Sequence, residues 1–253
     1  MKRLVPILVM LLALSLSTSA GAAPYNVDPY TSVPYLVPIA PSQAIDGYGA
    51  RWSVALIGYN AATSDINIPC DQPSCPRLRA GEAFSATGAL GASADPIVLR
   101  IPGDRVADLA LEEQVTAADS PSRTLRIPVV RLDSITERSI TFLDIDSNQR
   151  DARTSFRIYS PIWSDDARVV TMTIYREYEG RSAPIWSQQF TLKTVATNGI
   201  RIGYAALSFP DNIERTAFPT RVTFESDAPI WGFVTTSERS HEPAVSLALP
   251  ARN

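Results

Sequence analysis

The chain has 253 residues, 45% of them apolar, with 23 basic and 26 acidic side chains, one histidine and two cysteines. A weakly acidic chain with no basic cluster argues against nucleic acid as a partner, and so few histidines and cysteines leave no ligand set for a transition metal. The length suits one large or two ordinary domains.

Met1-Lys2-Arg3, the apolar run from Leu4 to Leu16 and the stretch Ser17 to Ala23, with Ala20-Gly21-Ala22 as cleavage site, have the three parts of a Sec-type signal peptide over residues 1–22. The apolar run is shorter than the roughly 20 residues that a spanning helix needs. No later span follows, and no cysteine follows the cleavage site to carry a lipid, so a secreted or periplasmic protein without a transmembrane anchor is expected. Losing Lys2 and Arg3 takes the basic count from 23 to 21 against 26 acids, a charge of about −5.

From Tyr35 onward strand follows turn. Tyr35 to Ala40, Arg51 to Tyr59, Asp65 to Cys70, Glu82 to Thr87, Pro96 to Ile101, Ala107 to Ala117 and Thr124 to Arg131 are short apolar or alternating runs, mostly parted by Gly, Pro, Asp or Ser. Turn signals at intervals of roughly 8 to 12 residues mark a β-sandwich. Asp104 to Glu113 comes closest to a helical stripe, but Leu109, Leu111 and Val115 also alternate, and the context predicts strand. Cys70 and Cys75 enclose only Asp71-Gln72-Pro73-Ser74. In an exported protein such a pair is expected to form a disulfide, which in so short a loop pins one hairpin and contributes about 2 kcal/mol.

The second half continues with Ser139 to Ile145, Arg153 to Tyr159, Ala167 to Tyr178, Ile185 to Val195, Ile200 to Ser208, Thr220 to Glu225, Ile230 to Thr236 and Val245 to Leu249. Val170, Met172 and Ile174 fall on one face of their strand, and Val222 and Phe224 on one face of theirs, which predicts core on that side. The halves also open alike: Leu36-Val37-Pro38-Ile39-Ala40 and Arg126-Ile127-Pro128-Val129-Val130-Arg131 each lead to an Ala-Arg-x-Ser strand, at Ala50 and at Ala152. Pro128 cannot donate within a ladder. The seam is therefore placed between Arg126 and Ile127, with β-sandwich domains over 23–126 and 127–253.

The runs Leu125 to Arg131, Ile140 to Asp146 and Arg153 to Pro161, with Gly49 to Asn60 and Thr220 to Val234, resemble the strands of uncharacterised secreted bacterial proteins that carry tandem immunoglobulin-like sandwiches. The resemblance spans about Val33 to Thr236. It implies an all-β fold of two tandem immunoglobulin-like antiparallel β-sandwich domains after a signal peptide, and it brings no catalytic residues with it.

No constellation for catalysis stands out. His241 lacks the Gly-x-Ser-x-Gly turn that a serine nucleophile uses, and an exposed loop histidine is expected. Asp144, Asp146 and Asn148 start like a calcium loop, but Gln149 stands where the turn glycine belongs and the bidentate glutamate is absent; turn chemistry accounts for them equally well. Glu112-Glu113 and Asp165-Asp166 are adjacent acids that point to opposite faces of a strand, the wrong geometry for a glycosidase pair, and a solvated edge that discourages strand pairing is expected. Pro-Ile-Trp occurs at Pro161, Pro184 and Pro229. Together with Trp52, the tryptophans Trp163, Trp186 and Trp231 form the stacking set of a carbohydrate-binding alternative, against which stands ordinary packing in the core or the domain junction.

The expected function is that of a non-enzymatic structural or interaction protein working through protein or envelope contacts, with no cofactor. A carbohydrate-binding module and a pilus-type periplasmic chaperone, which donates a strand to its client, are the alternatives.

Overall fold

The computed structural model describes residues 32–39, 45–47, 50–67, 77–87, 95–117, 120–145, 152–162, 167–210, 213, 220–238, 244–247 and 249–250. The expected signal peptide lies outside them.

The first half contributes β1 (Ser32–Val37), β2 (Ile45–Gly47), β3 (Ala50–Asn60), β4 (Ile66–Asn67), β5 (Arg77–Leu78), β6 (Ala83–Thr87), β7 (Ile97–Pro102), β8 (Leu109–Ala117) and β9 (Ser120–Pro128). After the seam come β10 (Val130–Arg131), β11 (Ser139–Phe142), β12 (Ala152–Ile162), β13 (Val169–Tyr178), β14 (Arg181–Thr191), β15 (Lys193–Thr197), β16 (Ile200–Ser208), β17 (Thr220–Ser226), β18 (Trp231–Glu238), β19 (Ala244–Leu247) and β20 (Leu249–Pro250). Two short 3-10 helices, Gly103–Asp108 and Leu132–Ser134, complete the described elements. The chain is all-β, as expected. The first of these helices takes up part of the run predicted as strand from Ala107, so β8 starts only at Leu109.

Every described strand pair is antiparallel, and the sheets stack in layers. An outer sheet runs β14-β13-β17-β11-β20 and a middle sheet β15-β16-β12-β18-β19. In the first half a sheet runs β2-β3-β8-β9, with β6 also on β3, and a connecting sheet runs β10-β1-β7. Outer and middle sheets enclose a core of Ile140, Phe142, Phe156, Ile158, Val170, Met172, Ile174, Val222, Phe224 and Val234. As predicted, Val170, Met172 and Ile174 are fully buried while their strand neighbours are not. Phe142, Phe156 and Phe224 meet with ring centroids 5.4 to 5.9 Å apart, and truncating any one of them to alanine costs about 3–5 kcal/mol.

The middle sheet is buried on both faces. Its opposite side carries Tyr159, Ile202, Tyr204 and Phe233, which pack with Leu36, Val54, Val98, Val115 and Ile127 of the first half into a second core. This explains why β12 ends in the unbroken buried run Ile158-Tyr159-Ser160-Pro161-Ile162 instead of alternating. A third core, Val37, Leu56, Ile66, Leu78, Leu99 and Ile101, fills the first half.

At the seam β9 runs on to Pro128, which is tolerated because it is the last residue of an edge strand. The ladder breaks at Val129, and β10 then pairs back onto β1. The chain after the seam therefore completes a sheet of the first half.

Ile185 to Val195, expected as a single strand, is divided. The chain leaves the outer sheet after Thr191 and joins the middle sheet at Lys193, crossing at Leu192, which is buried and donates its N–H to the Arg168 carbonyl at 2.8 Å.

Candidate functional site

The feature least explained by folding alone is β14. This eleven-residue strand pairs only with β13 among the described strands, and nine of its residues are exposed. Trp186 and Phe190 are the two that are partly buried; they lie on the core-facing side, with ring centroids 6.3 Å apart. Two residues, Glu179 and Gly180, join β13 to β14, both with positive φ of 49° and 72°, the geometry that matches the twist of a hairpin.

Pro184 and a bulge interrupt the first part of β14: Tyr175 faces Pro184 and Ile174 faces Trp186, so Ile185 has no opposite number. From Trp186 to Thr191 the register on β13 is regular, and these six residues carry neither charge nor proline. Beyond Thr191 the crossing at Leu192 ends the strand. The outward edge of this stretch is a row of backbone donors and acceptors with no described strand beside it.

The edge of β7 is treated differently. Asn198 and Gly199, at φ 51° and 72°, form the tip of the β15–β16 hairpin, and this tip lies against β7. The Val98 N–H donates to the Thr197 hydroxyl at 3.3 Å, the Asn198 amide donates to the Val98 carbonyl at 2.7 Å, and the Arg100 guanidinium donates to the Asn198 carbonyl at 2.9 Å. Two side chains thus do for β7 what a neighbouring strand would do. Nearby, the Tyr204 hydroxyl donates to Asp95, which also accepts from Lys193 at 3.1 Å.

Under the junction core lies Glu113, fully buried. Its two carboxylate oxygens accept the Ile39 N–H at 3.1 and 3.2 Å. Burial pushes its pKa well above the ordinary carboxylate value, opposed by that hydrogen bond and by the charge of Arg157. Tyr159 donates to the Pro38 carbonyl at 2.9 Å, and burial raises the pKa of its phenol.

Glu112 and Glu113 do face opposite ways, but the solvated edge expected for them is not found: β8 lies between β3 and β9. Glu112 sits 3.2 Å from Arg126 Nε, and Glu113 is enclosed because its side of β8 meets the segment after β1. Trp52 and Trp231 pack against the junction core, Trp231 with its ring centroid 5.8 Å from those of both Tyr159 and Phe233. Trp186 packs against the sandwich core. The three described tryptophans are all partly buried and do not share one core, and Trp163 lies outside the described residues.

The Pro-Ile-Trp copies also serve different ends. Pro229 precedes a strand, Pro184 sits at a bulge, and Pro161 lies at the end of β12. Asp144 is exposed with φ 52°, a turn residue. Asp146, Asn148, Asp165, Asp166, His241, Cys70 and Cys75 lie outside the described residues. No group of three or more His, Cys, Asp or Glu able to hold a metal occurs among the described residues, nor does a helix long and apolar enough to cross a membrane.

Sequence reasoning missed the open edge of β14, the burial of Glu113 and the cap on β7. The Asn198-Gly199 pair was the available signal for the last, being a strong short-range mark of a two-residue hairpin. Nothing local marks β14 as an edge. Comparison of the chain with protein-family models, with curated proteins and with solved structures finds no match.

Proposed function

We propose that this is a non-enzymatic contact protein, secreted or periplasmic, whose layered sheets hold the β14 edge rigid for strand addition by another polypeptide. The observation that carries the reading is the uncharged, regular stretch Trp186 to Thr191 on an exposed edge strand. Long flat edges are usually guarded by charge or proline, and strand addition draws its affinity from main-chain hydrogen bonds. The leader-like residues 1–22 support placement beyond the inner membrane.

An immunoglobulin-like reading of the second half has support in chain order. β15-β16-β12 in one sheet and β14-β13-β17 in the other follow the D-E-B and C′-C-F arrangement. The strands before and after this set depart from it, since β11 joins β17 and β18 joins β12.

The test places a photo-crosslinking amino acid at Gln189 in the full chain inside the producing cells, with Glu225, exposed in β17 on the far side of β13, as control. A crosslinked product specific to Gln189 is expected. Equal labelling at the two sites, or none, would refute the reading.

A further inference from the structure

We infer that the polypeptide which adds to β14 is a second copy of this chain, paired antiparallel about a two-fold axis through Gln188. This rests on the strand-addition reading above. Side chains on a strand alternate, and opposite residues in an antiparallel ladder share both face and hydrogen-bonding direction. Two identical strands can therefore pair only in registers where opposite residue numbers have the same parity, so one residue must face its own copy.

The boundaries of the open stretch choose that residue. Proline at 184 stops the ladder on one side, and the crossing at Leu192 stops it on the other. Gln188 is equidistant from both. With Gln188 opposite Gln188, all of 185–191 lies alongside a partner strand, and Pro184 falls opposite Leu192, where the other strand has already turned away.

Two further features favour a copy over an unrelated strand. The stretch carries no charge, so its copy meets no like-charge repulsion. The same register puts Trp186 opposite Phe190 twice, and both rings are only partly covered in the single chain. Aromatic cross-strand pairs are among the more stabilising ones. The product is a continuous ten-stranded sheet built from two five-stranded outer sheets, and the Gln188 amides are in position to bond across the axis.

The experiment uses the full chain with Gln188→Cys under mild oxidation. Opposite residues of a ladder lie about 4.5–5.5 Å apart, within disulfide reach. A Gln188→Cys homodimer, its link placed by peptide mass spectrometry, is expected at about tenfold or more over Ser182→Cys, which lies beyond the bulge, and over the unaltered chain. Equal yields would overturn the inference. Independently of any cysteine, sedimentation equilibrium of the unaltered chain up to roughly 1 mM should show a concentration-dependent dimer, as suits a small interface. Gln188→Lys should weaken that dimer about fivefold, since like charges then sit opposite each other; a chain monomeric throughout, or a dimer indifferent to the lysine, refutes self-pairing. If the Gln189 photo-crosslinker joins a different protein and never a second copy, self-pairing fails while strand addition stands. If it joins nothing, both fail.

Discussion

The edges of β7 and β14 pose one physical problem and receive opposite solutions. β7 is closed by Thr197 and Asn198, which present a hydroxyl acceptor and an amide donor to the Val98 backbone. β14 is longer, carries only Arg181 as a charge, and presents its last six residues unguarded apart from Pro184 and the bulge before them. The edge at the junction of the two halves is sealed, and the edge of the outer sheet, which takes no part in the junction core, is left open. An edge inside a folding unit must be satisfied for the unit to hold together, whereas a distal edge is free to serve an external strand.

Of the changes at the two edges, Asn198→Ala should give the largest loss of stability. It removes the donor to the Val98 carbonyl and places alanine in the left-handed region, together costing about 2–3 kcal/mol. Urea denaturation measures this, and a loss below about 0.5 kcal/mol would mean that the hairpin tip does not hold β7. Tyr204→Phe, which takes the hydroxyl from Asp95 beside the same tip, should cost about 1 kcal/mol in the same measurement.

Glu113→Gln tests the sealed side through pH. Because the folded pKa of Glu113 lies above its ordinary value of 4.5, the folded state holds this proton more tightly than the unfolded one. Its stabilising contribution is full below 4.5 and is lost as pH rises through the folded pKa. Denaturation at a series of pH values should therefore show stability declining above 4.5 in the unaltered chain and a flatter profile in Glu113→Gln. An unchanged slope would remove Glu113 from the junction's pH response. Gln188→Lys, on the open edge, should change unfolding free energy by no more than about 0.5 kcal/mol. A larger loss would mean that the β14 edge is needed for folding, and the contrast with β7 would disappear.

Much of the strand pattern was legible in the sequence because burial follows period two. Val170, Met172 and Ile174 could be assigned to the core from spacing alone. The run from Ile185 to Val195 could not be divided, because Leu192 follows Phe190 at the two-residue period of a strand and what sets it apart is the Arg168 carbonyl it meets, a partner far along the chain. The same limit hid Glu113. Its sequence neighbour Glu112 looks identical, and only the pairing of β8 between two strands, with the segment after β1 laid over one face, separates a wetted acid from a buried one. Which strand lies at an edge is likewise decided by long-range pairing, so β14 read as an ordinary strand. The tryptophans were visible as residues, but their settings depend on which core each strand meets.

The middle sheet, greasy on both faces, has a practical corollary for anyone handling the molecule. A fragment starting at Ile127 would leave Tyr159, Ile202 and Phe233 facing water, deprived of Leu36, Val54 and Val98. Severing the chain between Arg126 and Ile127 should therefore yield two insoluble pieces, which recover solubility only when refolded together in one vessel.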